Sequence, residues 1–283
     1  MDRFPTKILL ATEGSEDAAQ ATQAATDLAS KSGSELHVVH VWHDVPGPYR
    51  HGYVKRELRR QGQEILDEQV RKIEEAGGTV AQAHLRGGRT SDEVIDLGEE
   101  LDVDLLVVGS RGLRGMRRIL IGSHSDDIVH RSRRAVLVVR RGENAWPPSR
   151  VVAGDDFSED ARRAARLAAN LGKLLGARML LLHVEPRLSQ ESGEAVGQAE
   201  GTLEDRAGEL EAILEERPQT RVVAGDPAEV LVDAAQEGEG ATLVAVGSRG
   251  LRTLERVRLG SVSTKVIRAG LEAVMVYPHV GER

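Results

Sequence analysis

Two fifteen-residue segments hold the residues most able to do chemistry. Residues 109–123 read GSRGLRGMRRILIGS and residues 247–261 read GSRGLRTLERVRLGS, identical at nine positions. Each sets a glycine, two residues, a glycine, nine residues, then Gly-Ser: Gly109, Gly112, Gly122 and Ser123 in the first copy, Gly247, Gly250, Gly260 and Ser261 in the second. A glycine-rich turn between a strand and a helix can hold phosphate on backbone N–H groups. Glycine lets the backbone approach without a Cβ in the way. The later Gly-Ser opens a helix, whose N-terminal N–H groups and dipole favour negative charge. The hydroxyls of Ser123, Ser125, Ser261 and Ser263 can add donors. The spacing is neither GxxxxGK[ST] nor GxGxxG. Two such turns point to two nucleotide sites on one duplicated chain.

The elements that must position these turns also occur twice. KILLAT (7–12) matches RVVAGD (150–155), and Ser15-Glu16-Asp17-Ala18 recurs as Ser158-Glu159-Asp160-Ala161. Ser15 and Ser158 are expected as helix N-caps, their hydroxyls accepting from a first-turn N–H. The apolar runs ELHVVHVW (35–42) and RMLLLHVE (178–185) read as buried strands. A divergent part follows, with charged helices expected at 53–76 and 196–217. A third strand is expected at 79–85 and at 220–224, then a helix (90–101, 227–237). A fourth strand (104–108, 242–246) leads into the glycine motif, and a helix (123–132, 261–269) and an apolar strand (135–140, 273–277) close each copy. This β-α alternation predicts an α/β fold with two tandem, doubly wound, five-stranded parallel sheets covered by helices on both faces. The expected domains are 1–140 and 150–283, with RGENAWPPS (141–149) as linker.

Ligands of open parallel sheets sit beyond the carboxyl ends of strands, where strand order reverses. With order 3-2-1-4-5 the reversal lies between strands 1 and 4. Strand 1 ends at Thr12-Glu13 or Asp155-Asp156, and strand 4 at Gly109 or Gly247. Acid and glycines then share one crevice, the carboxylate suited to ribose hydroxyls and the glycines to phosphates.

Composition narrows the classes. Aromatics are 2% of a chain that is 40% hydrophobic, so the cores must be aliphatic. Net charge is −7, which argues against a nucleic-acid binder. Against that balance, the first motif holds Arg111, Arg114, Arg117 and Arg118 with no acid, and the second Arg249, Arg252, Arg256 and Arg258 with only Glu255. This points to a small anionic ligand or an acidic partner; the plainer alternative is solvated arginines flanking a helix. The absence of cysteine excludes disulfides, thiol catalysis and thiolate-bound zinc. No stretch of about 18 apolar residues appears, and the expectation is a soluble cytoplasmic protein without membrane contact. His40 and His183, in apolar strands, read as packed residues with one satisfied nitrogen rather than as ligands. The nine histidines show no metal-binding spacing.

The doubled motif, the strand-1 acid, the His40-Val41 and His183-Val184 pairs and the closing AVLVVR and AVMVYP strands resemble the universal stress protein family over essentially the whole chain. The resemblance implies an adenine-nucleotide-binding fold (adenine-nucleotide α-hydrolase-like) in stress and growth regulation. ATP is the implied ligand, with ADP or AMP as alternatives, and Mg²⁺ can ride on the phosphates. On the family pattern Glu13 and Asp156 touch ribose, and the Val41 and Val184 backbones touch adenine. Gly109, Arg111, Gly112, Gly122, Ser123 and Ser125 surround phosphate, as do Gly247, Arg249, Gly250, Gly260, Ser261 and Ser263. The halves are expected to form an internal pseudo-dimer, with further homodimerisation left open.

Two departures stand out. Glu13 replaces the family's Asp and is one methylene longer, so the second site is expected to bind more tightly. His124 stands where the second copy has Val262; its imidazolium would make affinity pH-dependent, or it is simply an exposed helix-start histidine. Three function classes compete: a nucleotide-binding regulator with a protein partner, a slow ATPase, and an interaction scaffold with degenerate sites. No HxGH-type or SGGxDS-type signature and no candidate base supports the enzyme class, although arginines and N–H groups leave room for slow hydrolysis.

Overall fold

The computed structural model describes residues 4–15, 18–43, 52–110, 122–142, 146–185, 193–248 and 259–279. The motif residues Arg111, Gly112, Arg249 and Gly250 lie outside this set. Among the described residues one compact unit ends at Arg141 and the other begins at Gly142.

The first unit runs β1 (Lys7–Ala11), α1 (Ala19–Ser32), β2 (Glu35–Trp42), α2 (Tyr53–Glu75), β3 (Gln82–Gly87), α3 (Thr90–Glu100), β4 (Leu105–Gly109), α4 (Ser123–Arg131) and β5 (Ala135–Val139). β1 pairs in parallel with β2 and β4, β2 with β3, and β4 with β5, so the strand order is β3-β2-β1-β4-β5. The second unit runs β6 (Arg150–Gly154), α5 (Glu159–Leu175), β7 (Arg178–Glu185), α6 (Gly193–Leu214), β8 (Gln219–Ala224), α7 (Pro227–Gln236), β9 (Thr242–Gly247), α8 (Ser261–Arg268) and β10 (Ala273–Tyr277). Its parallel order is β8-β7-β6-β9-β10. In both units the order reverses between the first and fourth strands.

The strands are short, and most are aliphatic and buried on both faces, as in Leu105–Val108 and Ala135–Val139, whereas β3 and β8 are exposed or half-buried along their length. Helices must therefore cover both sides of the sheet. α1 packs with α2 and α3 with α4; right-handed crossovers put the two pairs on opposite faces. The same arrangement recurs with α5–α6 and α7–α8. α1 and α5 are built on alanine (Ala21, Ala24 and Ala25; Ala161, Ala164 and Ala165), which brings helix and sheet close. Both end at a left-handed glycine, Gly33 (φ 71°) and Gly176 (φ 68°), whose N–H groups return to the last turn.

Three local expectations are corrected. Ser158 caps α5 by accepting from Ala161 N, but Ser15 does not cap α1. The N-cap of α1 is Ala18, and the Ser15 hydroxyl donates instead to Glu13 Oε1 at 2.9 Å. β3 begins at Gln82 and extends to Gly87, because β2 stays in register with it from His37 to Trp42. α6 begins at Gly193, inside a Ser/Gly/Glu-rich stretch that reads as loop.

Candidate functional site

The carboxyl ends of β1, β2 and β4 in the first unit enclose a cavity of about 290 Å³. Ligand pockets span roughly 300–1,000 Å³, so this one is compact. Of the expected site residues, Thr12, Glu13, Val41, Gly109, Gly122, His124 and Ser125 border it. Ser123 is exposed on the first turn of α4. The strand-1 acid and the glycine motif, far apart in sequence, do meet at the strand-order reversal.

Residues from the divergent helix complete the wall: Leu58, Gln61, Gly62 and Ile65 of α2, with Trp42 at the end of β2. Gly62 favours the close approach of α2 to β2. A Cβ at that position would lie 3.1 Å from Trp42 Cβ, 3.2 Å from Leu85 Cδ1 and 3.3 Å from His40 Cδ2, so its neighbours would have to give by a few tenths of an ångström. Sequence reading missed these residues. An isolated glycine inside a helical pattern and one of two tryptophans at a strand end are the signals that could have found them. Lys55 Nζ sits 5.6 Å from the centroid of the Trp42 ring, adding positive charge near the mouth.

His40 lies on the cavity wall as a packed histidine. Its Nδ1 is 2.9 Å from the Thr12 carbonyl oxygen, so that nitrogen carries the proton and donates. Burial pushes its pKa down, outweighing the upward pull of that bond and of Glu13. It is neutral near pH 7 and cannot serve as a cation for phosphate. The rings of His43 and His124 stand 6.0 Å apart at the same cavity. Among the described residues no group of His, Asp and Glu could hold a metal ion.

Two of the four serines expected near phosphate are engaged with the backbone. Ser125 Oγ donates to the Gly109 carbonyl at 2.7 Å, and Ser263 Oγ to the Gly247 carbonyl at 2.6 Å. A hydroxyl has one proton, and here both are spent latching the start of α4 or α8 to the end of the fourth strand. α4 and α8 begin at Ser123 and Ser261, as the spacing predicts, with Gly122 and Gly260 as N-caps lacking a side-chain bond. Salt bridges steer both helices: Arg131 to Asp92 and Asp127 on the α3–α4 side, Lys265 to Asp226 at 2.9 Å on the α7–α8 side.

The second unit uses its counterparts differently. The Asp155 side chain is fully buried, accepts from Phe157 N at 2.7 Å, and lies 3.8 Å from Arg206 Nε. Burial pushes its carboxyl above the usual range despite Arg206. It is thus part of the interior, and Asp156, half-buried and accepting from Ser158 N at 3.1 Å, is the carboxylate nearer solvent. Gly247 is explained by packing: a Cβ would lie 2.8 Å from Ala161 N and 2.9 Å from the Asp160 carbonyl carbon, so the first turn of α5 occupies that side. Val184 holds the β7 position matching Val41. Val262 is half-buried and Ser261 exposed on α8.

A sequence model of the universal stress protein family matches residues 5–140 and again 148–278. The chain belongs to the universal stress protein family. It is 28% identical to a universal stress protein of Mycolicibacterium smegmatis over 290 residues, covering 95% of this chain and 96% of that one. A universal stress protein of Mycobacterium tuberculosis is 29% identical over 289 residues, with the same coverage. Among solved structures, a universal stress protein from Archaeoglobus fulgidus superposes with a TM-score of 0.75 at 24% identity, covering 96% of this chain and 98% of that one. This last likeness is one of fold, and it spans both units of this tandem family member. Among the described residues no helix is long and apolar enough to cross a membrane.

Proposed function

We propose that this universal stress protein is an adenine-nucleotide-binding regulator, ATP being the principal ligand, whose occupancy sets its conformation or its choice of protein partner in the cytoplasm. One observation carries the reading. The cavity at the strand-order reversal gathers the carboxylate of Glu13, the end of β2 at Val41, and the N-terminus of α4 at Gly122. These groups suit ribose, a base edge and phosphate respectively. The family resemblance supplies adenine as the base. Arg111 and Gly112 belong to the same reading through the motif spacing, and Mg²⁺ would be held mainly by the phosphates.

Among the described residues of the cavity wall, Ser125 is committed to Gly109 O and His40 holds its Nδ1 proton on Thr12 O. The regulator reading is preferred to the ATPase reading because the sequence carries no HxGH-type or SGGxDS-type signature. Thermal unfolding with ATP, ADP, AMP and GTP tests it. A ligand at 100 times its Kd adds about 2.7 kcal/mol, so an adenine nucleotide at millimolar concentration should raise Tm by several degrees while GTP does less. Equal shifts for ATP, GTP and free triphosphate would reduce the site to a phosphate site. No shift with any of them would leave the scaffold reading.

A further inference from the structure

The two crevices differ at the residue after the strand-1 acid: Gly14 in the first unit, Phe157 in the second. Both backbones are left-handed, with φ 77° and 66°, a conformation uncommon for a bulky side chain. The same device holds both. Thr12 Oγ1 accepts from Gly14 N at 3.2 Å, and Asp155 Oδ1 from Phe157 N at 2.7 Å. The second unit adds Arg206, whose Nη2 donates to the Phe157 carbonyl at 3.1 Å. A fully buried carboxylate, with Oδ2 lacking any hydrogen-bond partner, is a costly way to fix one loop residue. What it fixes is an aromatic ring. Phe157 stacks on His183 with centroids 4.1 Å apart and planes 15° apart.

His183 is the counterpart of His40, and in the first unit His40 borders the open cavity. There the space over Gly14 is held by the smaller Ile65, 2.6 Å from where a Cβ would stand; in the register that sets buried Leu66 and Ile73 of α2 against buried Leu203 and Leu210 of α6, its counterpart is Thr202. Glu185 replaces Trp42 at the strand end and engages His183 Nε2 at 3.2 Å.

We propose that Phe157 closes the second crevice to the base of a nucleotide, so that the chain loads a single nucleotide, in its first unit. This rests on the nucleotide reading of the first cavity and reverses the preference expected from Glu13 and Asp156. The test is equilibrium dialysis with ATP, paired with fluorescence of Trp42 in a Trp146→Phe background. Wild type should take one equivalent, with the Trp42 signal saturating in step. Phe157→Gly, or Phe157→Ala where the glycine variant does not fold, should take two. Gly14→Phe/Ile65→Thr, which transplants the second unit's pair, should lose at least tenfold in affinity at Trp42 while its circular dichroism is unchanged. Two equivalents on wild type, one equivalent silent at Trp42, or a single equivalent on a folded Phe157 variant would each overturn the inference while leaving nucleotide binding intact. No binding to wild type at millimolar ATP would instead remove the nucleotide reading, and this inference with it.

Discussion

Gly247→Ala should destabilise the second unit, and Gly154→Ala in the same sheet should not. The added Cβ at 247 would stand 2.8 Å from Ala161 N, 2.9 Å from the Asp160 carbonyl carbon and 3.0 Å from Asp160 Cβ. Those atoms belong to the first turn of α5 and cannot rotate away. Reaching ordinary contact at 3.4 Å requires the helix to move by about 0.6 Å. α5 is held by its Ser158 cap, by the paired bonds of Arg162 to Glu209 at 2.9 and 2.8 Å, and by a buried alanine face. Overpacking of this kind costs about 1–3 kcal/mol. At Gly154 the new Cβ meets Leu231 Cδ1 and Cδ2 at 3.1 and 3.2 Å, the far end of a flexible side chain, and the first unit already carries Ala11 at that position. Its cost should stay below about 0.5 kcal/mol, within the range of mild substitutions. Trp146 is buried in the second unit, so a Trp42→Phe background lets urea unfolding be followed there alone. With an m-value of about 2 kcal/mol/M, Gly247→Ala should lower the midpoint by roughly 0.5–1.5 M. Equal midpoints for the two variants would refute the packing account of the motif's first glycine.

Three further outcomes follow from the same contacts. Ser125→Ala should cost about 1–3 kcal/mol, because it leaves the Gly109 carbonyl without its donor; calorimetry checks the stability, and affinities for ATP and adenosine should fall together, whereas a direct phosphate ligand would affect ATP alone. Burial lowers the pKa of His40 and also of His84. The unfolded chain therefore takes up protons first, so stability is full above the ordinary histidine value of 6.5 and is lost as pH falls below it; a His40→Asn/His84→Asn variant should show a flatter profile between pH 7 and about 5. Asp226 caps α7 through Ala228 N and Glu229 N, and the Lys265 bond is the first cause of its lowered pKa. Its contribution is present above the ordinary carboxylate value of 3.8 and is lost as pH falls through the lowered folded value; Asp226→Ala should cost about 0.5–2 kcal/mol in urea titrations at pH 7, and Asp226→Asn, which can still cap, less.

The fold was legible because its signals are local and repeated. Apolar runs of five to eight residues, separated by helical stretches, mark the strands, and the duplication checks each assignment against its twin. The strand-1 acid and the glycine motif could be placed together because the reversal of strand order is a property of topology, not of side chains. Side-chain roles were less readable. Ser125 and Ser263 read as phosphate donors, but whether a hydroxyl faces ligand or backbone depends on a carbonyl sixteen residues away in each case. Ser15 and Ser158 sit in the same four letters, yet only Ser158 caps, because α5 starts at the next residue, Glu159, whereas α1 starts at Ala19 with Ala18 as its N-cap. The Asp155–Arg206 pair, and the Thr12–Gln69 contact that replaces it, join segments with no shared local pattern. The α2 wall of the cavity lies where the two copies diverge, so the comparison that made the rest visible was of no help there.

The most direct test of the central claim is a titration of the Trp146→Phe protein with ATP, following the emission of Trp42, the one remaining tryptophan and a wall of the first cavity. The account predicts a saturable change that adenosine nucleotides share and that Ile65→Phe, which fills the cavity without adding a second tryptophan, abolishes in a still-folded protein. An unchanged spectrum up to millimolar ATP, or a response that survives Ile65→Phe, would contradict it.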